Sequence, residues 1–276
     1  ESLFPSPGVF LEIGAWKGEQ FSQTAYLERE RGWTGVCVDP FPSGFEQRTC
    51  QVCRRAVSAD GSPRSFLKVT TDRRNGGDVS YFSGFKESVM RSIHWPVIRE
   101  FCDYEEIQFE TITLDQLYEL YELPAYIDFL SLDIEGAELE LLQSMDWSAR
   151  RFGLIAVEHN MDQLIRKQIG ELLSANDYRL LEAWEFDDLY FSHRGWLANE
   201  YQKWMDALQS STVHNIKEHP MVQRMLGEIQ WPGPLTGNID LELLARIDNI
   251  GRSVPREIHG SGRADRLAPP RTHARG

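Results

Sequence analysis

The sequence lacks any long apolar run, and it is poor in basic residues and in cysteine. No stretch approaches the roughly 20 apolar residues that a membrane-spanning helix needs, and no basic-then-apolar signal segment opens the chain. Lysine and arginine number 29 against 42 aspartates and glutamates, which gives a formal net charge of -13. Nucleic-acid phosphates are bound by clustered basic side chains, so this balance argues against a nucleic-acid partner. We expect a cytoplasmic protein without a membrane span.

The 4 cysteines do not have the spacing of a disulfide framework or a zinc site. Cys50 and Cys53 form a Cys-x-x-Cys pair, but no second ligand pair accompanies them and they sit in strand-like sequence, so we expect buried, reduced thiols. Residues 100–122 carry many acidic side chains and no basic one. A solvated acidic face explains this run, and preference for a cationic substrate is the alternative.

Alternating strand and helix patterns over the first two thirds of the chain predict an α/β fold with a parallel sheet. The predicted strands are residues 9–13, 35–39, 51–57, 126–133 and 154–157, and the predicted helices are residues 19–31, 113–123, 137–145 and 161–175. Thr113 and Gln116 predict a capping box at the start of the second helix. Residues 178–192 alternate aromatic and polar positions, as an antiparallel hairpin does. At 276 residues the chain is long enough for one substantial core.

We predict one α/β domain over residues 1–193, a helical extension over 194–250 and a flexible Pro-, Gly- and Arg-rich tail over 251–276. Residues 72–110 interrupt the alternation and form a candidate lid. Within them, an apolar stripe with helical spacing, kinked at Pro96, follows a Gly-Gly loop. The stripe consists of Phe85, Val89, Ile93, Val97 and Phe101.

The most informative stretch is residues 9–18, where an apolar run ends in Glu12 and breaks into a loop with Gly14 and Gly18. Glycines at such places let backbone approach a ligand closely, beside the positive end of the next helix. Dinucleotide enzymes have a further glycine for the pyrophosphate, where this chain has Ala15 and Trp16. The turn therefore favours a ligand without phosphates, such as S-adenosylmethionine (SAM), over NAD. An ordinary strand-to-helix turn is the alternative.

Acidic residues end the predicted strands: Glu12, Asp39, Asp133, and Glu158 followed by His159. In open α/β sheets, ligands bind outside these strand ends. Asp39 stands at the end of the second strand, where such folds place the carboxylate that accepts the ribose hydroxyl protons. A turn cap is the alternative role for Asp39.

Several runs together resemble the FkbM family of class I SAM-dependent methyltransferases. They are residues 10–18, 38–42, 56–58, 113–115 and, most distinctively, the Asp-x-Glu-Gly-Ala-Glu run of residues 133–138. The resemblance covers about residues 9–192. It implies a doubly wound, Rossmann-like, seven-stranded sheet with an antiparallel last strand. It also implies O-methylation, the transfer of a methyl group to a hydroxyl of a sugar, polyketide or similar small molecule or glycan.

The resemblance also implies a cofactor site. The residues it places there are Glu12, Gly14, Ala15, Gly18, Asp39, Pro40, Ser58 and Asp133. Gly14 and Gly18 would shape the methionine pocket, with Glu12 supporting it. Asp133 would face the methionine amine or a metal. The family often has Asn where Trp16 stands.

Methyl transfer to a hydroxyl needs a group that takes the acceptor's proton. His159 and Glu158 are the candidate bases beside Asp133, with His94 and His193 as further candidates; a structural histidine is the alternative for His159. Asp133, Glu158 and His159 or Asn160 also resemble the acidic pair and amide with which catechol-type methyltransferases hold Mg²⁺. We expect a metal-free site and keep the metal as the alternative.

Two alternative functions stay open. One is a catalytically silent SAM-binding partner domain, and the other is a methyltransferase acting on a nitrogen or carboxylate acceptor. The intact Glu158-His159-Asn160 run argues against the first. Nucleic-acid amino-methyltransferases carry an Asp/Asn-Pro-Pro-aromatic run after the fourth strand, where this chain has Glu135 and Gly136. The expected partners are a small-molecule or glycan acceptor and either a second copy in a homodimer or neighbouring domains of a longer polypeptide.

Overall fold

The computed structural model of the chain describes residues 7–193. The predicted helical extension over residues 194–250 and the predicted tail over residues 251–276 lie outside the described residues.

Twelve strands and six helices make up the described part of the chain. In chain order they are β1 (Val9–Ile13), α1 (Ala25–Arg31), β2 (Thr34–Val38), β3 (Gln51–Cys53), β4 (Ala56–Val57), β5 (Arg64–Asp72), a 3₁₀ turn (Ser80–Phe82), β6 (Gly84–Phe85), α2 (Lys86–Arg91), α3 (Trp95–Phe101), β7 (Cys102–Phe109), β8 (Thr111–Ile112), α4 (Leu114–Leu120), β9 (Tyr126–Leu132), α5 (Glu138–Ser144), β10 (Arg151–Glu158), α6 (Gln163–Ala175), β11 (Tyr178–Ala183) and β12 (Asp187–Ser192).

Seven strands form one mostly parallel sheet in the order β11-β12-β10-β9-β1-β2-β3. This confirms the predicted mixed α/β architecture with a seven-stranded sheet. The pairs among β10, β9, β1, β2 and β3 are parallel, whereas β12 runs antiparallel to both β10 and β11. The carboxyl ends of β1, β2, β9 and β10 therefore meet at one edge of the sheet, which we call the carboxyl edge. Because β12 is reversed, its first residue lies at this edge and its last at the opposite one.

Successive strand residues point to opposite sides of the sheet, and helices cover both sides. On one side, Leu11 and Leu132 pack with residues of α4, α5 and α6, such as Leu117, Leu142 and Leu173. On the other side, a second buried cluster joins the sheet to α1; it contains Phe10, Cys37, Phe129 and Leu27. Helices on both faces are what a doubly wound parallel sheet requires.

Residues 64–109 build a small unit of their own, in which β6, β5 and β7 form an antiparallel sheet under α2 and α3. The predicted single helix kinked at Pro96 is wrong. The helical stripe is two helices separated at residues 92–94, and Phe85 belongs to β6. Pro96 lies in the first turn of α3, where a missing backbone N–H breaks no intrahelical bond. We call residues 72–110 the insertion.

Two further local predictions need correction, and one is confirmed. The predicted strand over residues 51–57 is two short strands, because β3 pairs with β2 whereas β4 pairs with β8 in a separate sheet. The first helix begins at Ala25 rather than at residue 19. The predicted capping box between Thr113 and Gln116 is present at the start of α4.

The exposure of the acidic run and the state of the cysteines agree with the expectations from composition. Glu105 and Glu106 on β7 are exposed, as expected of a solvated acidic face. All four cysteines are free thiols, and Cys37, Cys53 and Cys102 are buried. Among residues 7–193, no helix is long and apolar enough to cross a membrane.

Candidate active site

The carboxyl edge places the four acidic strand ends on the same face of the sheet. Glu12 is level with Ser131 and Cys37 in the strand register, and Ala156 is level with Ser131. Asp39 stands two residues beyond Cys37, Asp133 two beyond Ser131, and Glu158 two beyond Ala156. Residues two apart in a strand face the same side, so these three acids share the side of the sheet that Glu12 faces. The structure thus brings together carboxylates that are far apart in sequence.

The glycines of the first turn are required by neighbouring backbone. Gly14 has φ +89°, and a Cβ there would stand 1.5 Å from the Asp133 carbonyl oxygen. A Cβ on Gly18 would stand 2.4 Å from the Gly44 carbonyl oxygen. The glycines thus accommodate close contact between loops, and their role in admitting a ligand stays a prediction. The N–H groups of Gly14 and Ala15 are both donated to the Val38 carbonyl oxygen, at 2.8 and 3.1 Å.

Glu12 is buried and its carboxylate is used within the protein. Its Oε1 accepts the Gln23 backbone N–H at 2.9 Å, and its Oε2 accepts the hydroxyls of Ser22 and Thr24. These bonds hold residues 22–24 in a loop before α1, which explains why the helix starts late. Arg48 reinforces the loop, because its guanidinium donates to the Gly18 carbonyl and to both hydroxyls. Glu12 therefore stabilises the loop between β1 and α1 through its hydrogen bonds.

Asp39 receives two backbone N–H groups. Its Oδ2 accepts from Trp16 at 2.9 Å and its Oδ1 accepts from Phe41 at 2.7 Å. Burial raises the pKa of Asp39 to about 6, against the lowering by these hydrogen bonds. The side chain does cap the turn, as the alternative interpretation had it. It is also partly exposed beside Pro40, and each carboxylate oxygen has a further lone pair.

Ser58 is buried and hydrogen-bonded inside its own turn. Its hydroxyl lies 2.6 Å from the Thr111 hydroxyl and accepts the Gly61 N–H at 2.9 Å. These contacts tie β4 to β8 and close the turn that follows. The contacts give Ser58 a role in that turn.

Three carboxylates meet where β9 and β10 end. Asp133, Glu138 and Glu158 each offer an oxygen atom within 4.8 Å of the others. Burial raises the pKa of Asp133 to about 6 and that of Glu138 to about 7. Burial and then the charge of Asp133 hold the pKa of Glu158 well above its usual range. Glu138 also accepts the N–H groups of Ile134 and Gly136, at 2.8 and 3.1 Å.

Two more acids complete what we call the acidic cluster, defined as Asp133, Glu135, Glu138, Glu158 and Asp187. Glu135 is buried in the left-handed region at φ +57°, and Asp187 is the register partner of Glu158. After burial, the charges that raise the pKa values of Glu135, Glu158 and Asp187 are those of other carboxylates. Sequence reasoning assigned no role to Glu135, Glu138 or Asp187. The signal for the first two was their place in the acidic run that directly follows a buried strand.

His159 is not brought together with Glu158 and Asp133. It directly follows β10, and its ring lies beside Asp188, the register partner of Val157, on the face of the sheet opposite Glu158. Its Nε2 lies 3.8 Å from Asp188 Oδ1, and its Nδ1 accepts the Met161 N–H at 3.2 Å. Asp133 and Glu158 therefore group with Glu138 rather than with His159, whereas Asn160, the other predicted ligand, hydrogen-bonds to Glu158. His193 follows β12 and lies at the opposite edge of the sheet.

Side-chain hydrogen bonds join the insertion to the carboxyl edge at two places. The Trp16 indole N–H is donated to the Ser80 hydroxyl at 2.8 Å, and the Trp16 ring packs against the Tyr81 ring at 5.4 Å. Lys17 adds an ion pair of 2.8 Å with Asp78. At the second place, His94 reaches Asn160 beyond the end of β10. These contacts hold the insertion against the loops that follow β1 and β10.

A comparison with protein families finds that the model of the methyltransferase FkbM domain matches residues 12–189. The match begins at Glu12 and runs into β12, so it includes every strand end described above. No curated protein and no solved structure matches the chain significantly.

Proposed function

The chain belongs to the FkbM family of methyltransferases, and we propose that it uses SAM to methylate a hydroxyl group of a small molecule or glycan. The observation that carries this proposal is the joint position of Asp39, Asp133 and Glu158 on one face of the carboxyl edge. One carboxylate there suits the cofactor's ribose, and the others suit its positive charge and the acceptor's proton.

The residues present fit SAM, which supplies a methyl group on a positively charged sulfur when it is bound. Asp39 is a charge-assisted acceptor for the ribose hydroxyls. Asp133 suits the ammonium group, because the nearby charges that shift its pKa are negative. The buried Oε1 of Gln23 has no hydrogen-bond partner within residues 7–193, and it belongs to the loop that Glu12 holds. A buried polar atom without a partner is costly unless a ligand satisfies it.

We assign the acceptor's proton to the carboxylate of Glu158, with Asp133 as the alternative base if the ammonium group binds elsewhere. A group whose pKa is raised towards the working pH makes an efficient general base, contributing roughly 10²–10⁴-fold. Burial raises the pKa of Glu158, and it raises the pKa of Asp133 to about 6. His159 is a weaker candidate because its imidazole faces Asp188 on the other side of the sheet.

We propose that the transfer needs no metal ion. Orienting the acceptor and removing its proton are sufficient for methyl transfer from a sulfonium. The contrasting case is Mg²⁺ held by oxygen atoms of Asp133, Glu138 and Glu158, which suit that ion. Chelation separates the two cases, since it abolishes activity only in the second.

The first test is calorimetry with S-adenosylhomocysteine (SAH), the demethylated form of SAM. We expect tight binding that depends little on salt, because the proposed contacts are backbone groups, carboxylates and apolar walls rather than phosphate charge. NADH is the control ligand. Preferential binding of NADH would overturn the interpretation of the glycine turn.

The second test incubates the protein with SAM and a panel of glycosides, polyols, amines and carboxylic acids, and detects methylated products by mass. Methylation of a hydroxyl is the expected result. A product methylated only on nitrogen or on a carboxylate would contradict O-methylation. SAH binding without transfer to any member of the panel would favour a catalytically silent SAM-binding domain.

A further inference from the structure

Three buried side chains form a hydrogen-bonded chain from the insertion to the end of β10. His94 Nε2 lies 3.0 Å from Asn160 Oδ1, and Asn160 Nδ2 donates a hydrogen bond of 2.8 Å to Glu158 Oε2. The exposed fractions of His94, Asn160 and Glu158 are only 7%, 6% and 8%. Buried hydrogen bonds of this kind are little weakened by competing water, so they fix side-chain orientation strongly.

The backbone at the centre of this chain is strained. Asn160 has φ +50° and Met161 has φ +59°, so two consecutive non-glycine residues adopt the left-handed region. Such conformations are unfavourable for L-residues and persist where surrounding structure imposes them, often at functional sites. Asparagine tolerates this region better than most residues. The strained turn directs the Asn160 amide back towards Glu158, two residues earlier.

His94 is held in place by the insertion. It precedes α3, its carbonyl accepts the N–H groups of Val97 and Ile98, and its ring packs against the Phe82 ring at 4.7 Å. Burial lowers the pKa of His94, which favours the neutral form of the ring. A neutral ring that carries its proton on Nε2 donates to Asn160 Oδ1, which leaves the Asn160 amide N–H for Glu158.

We propose that His94, acting through Asn160, is a positioning residue for the Glu158 carboxylate, so that the insertion completes the reaction centre. This inference rests on the proposed role of Glu158 as a proton acceptor. Holding one carboxylate oxygen fixes the plane of the group, and that plane decides where the other oxygen can accept a proton. Misplacement of a reacting group by about 1 Å can lower a rate about 10²-fold.

An infrared measurement tests the contact without any acceptor. The difference spectrum between the wild type and Glu158→Gln isolates the Glu158 carboxyl band. Asn160→Gly keeps the left-handed turn and deletes the amide, so we expect the band to move to the frequency of a carboxyl group that has lost a hydrogen bond. His94→Phe should move it in the same direction, whereas His94→Gln, which keeps a donor near Nε2, should restore it. An unmoved band in both Asn160→Gly and His94→Phe overturns the proposal.

Kinetics with the acceptor found in the mass assay test the consequence. We expect kcat to fall about ten- to a hundredfold in His94→Phe and Asn160→Gly, with SAH affinity unchanged and partial recovery in His94→Gln. His193→Phe, at the opposite sheet edge, is the matched control and should retain activity. If Glu158→Gln abolishes turnover while His94→Phe and Asn160→Gly do not lower it, only this inference fails. If Glu158→Gln retains turnover, the proposed base itself is wrong.

Discussion

The Asp133 carbonyl oxygen occupies the space next to Gly14 in which any side chain would have to stand. A Cβ at residue 14 would lie 1.5 Å from that oxygen, and the φ of +89° disfavours any other residue there. Gly14→Ala should therefore separate the turns after β1 and β9. We expect a loss of about 3 kcal/mol or more in the free energy of unfolding, together with loss of SAH binding. Urea denaturation and calorimetry measure the two effects.

Gly76→Ala is the matched control, since Gly76 also has a positive φ, +74°, but nothing within 4 Å of the position of a Cβ. Its cost should be about 1–2 kcal/mol from the backbone conformation alone. Equal destabilisation by the two substitutions would show that the contact with Asp133 is unimportant.

Asp39→Ala should weaken SAH binding by about 1.5–3 kcal/mol, because the ribose hydroxyls lose a charged acceptor. Asp39 also accepts two backbone N–H groups, so part of the loss could come from the turn itself. A second ligand separates the two causes: 2′,3′-dideoxy-SAH lacks the hydroxyls and should bind wild type and variant nearly equally. Unchanged SAH affinity in Asp39→Ala would leave Asp39 only its role as a turn cap.

Trp16→Phe should loosen the insertion, because it removes the indole N–H that bonds the Ser80 hydroxyl while keeping a ring beside Phe21. A hydrogen bond contributes about 1 kcal/mol, which corresponds to a roughly fivefold larger open population and faster hydrogen exchange. Hydrogen exchange over residues 76–104 measures it. In the wild type, SAH should slow exchange in the same stretch. Equal protection with and without SAH would make the insertion a fixed scaffold rather than a lid.

The acidic cluster should make the ligand-free protein more stable as the pH falls. The pKa values of Asp133 and Glu138 are raised to about 6 and about 7, mainly by burial. Between the ordinary carboxyl pKa and these values the folded state binds more protons than the unfolded state, so stability decreases as pH rises from about 5 to about 7.5. Urea denaturation across this range tests the trend. Glu138→Gln should flatten it, since an amide keeps the acceptor for Ile134 and Gly136 without the charge.

Glu158→Gln should lower turnover at least tenfold while leaving SAH affinity nearly intact, because the loss falls on proton transfer. His159→Ala, on the other face of the sheet, should affect stability more than turnover. Chelators should have no effect. Activity that is abolished by chelation and restored by Mg²⁺ would instead indicate a metal held by the acidic cluster.

Much of the fold could be predicted from local pattern. Apolar runs ending in Glu12, Asp39, Asp133 and Glu158 predicted parallel strands with their acids at one edge, and the seven-stranded α/β sheet confirms the architecture. The box of Thr113 and Gln116 predicted the start of α4, because a cap depends only on residues a single turn apart. The acidic run of residues 133–138 indicated the FkbM family, and the family match over residues 12–189 confirms it.

Contacts between distant segments decided the rest. Strand periodicity cannot say that Glu158, rather than His159, shares a face with Asp133 until the register of β10 with β9 is known. The break between α2 and α3 brings His94 to Asn160, 66 residues away, and no local preference encodes such a pair. The sequence by itself determined which segments are strands and which acids end them, since those properties follow from burial and backbone preference nearby. Only the tertiary structure decided which side chains share one pocket, because that depends on how separate segments pack.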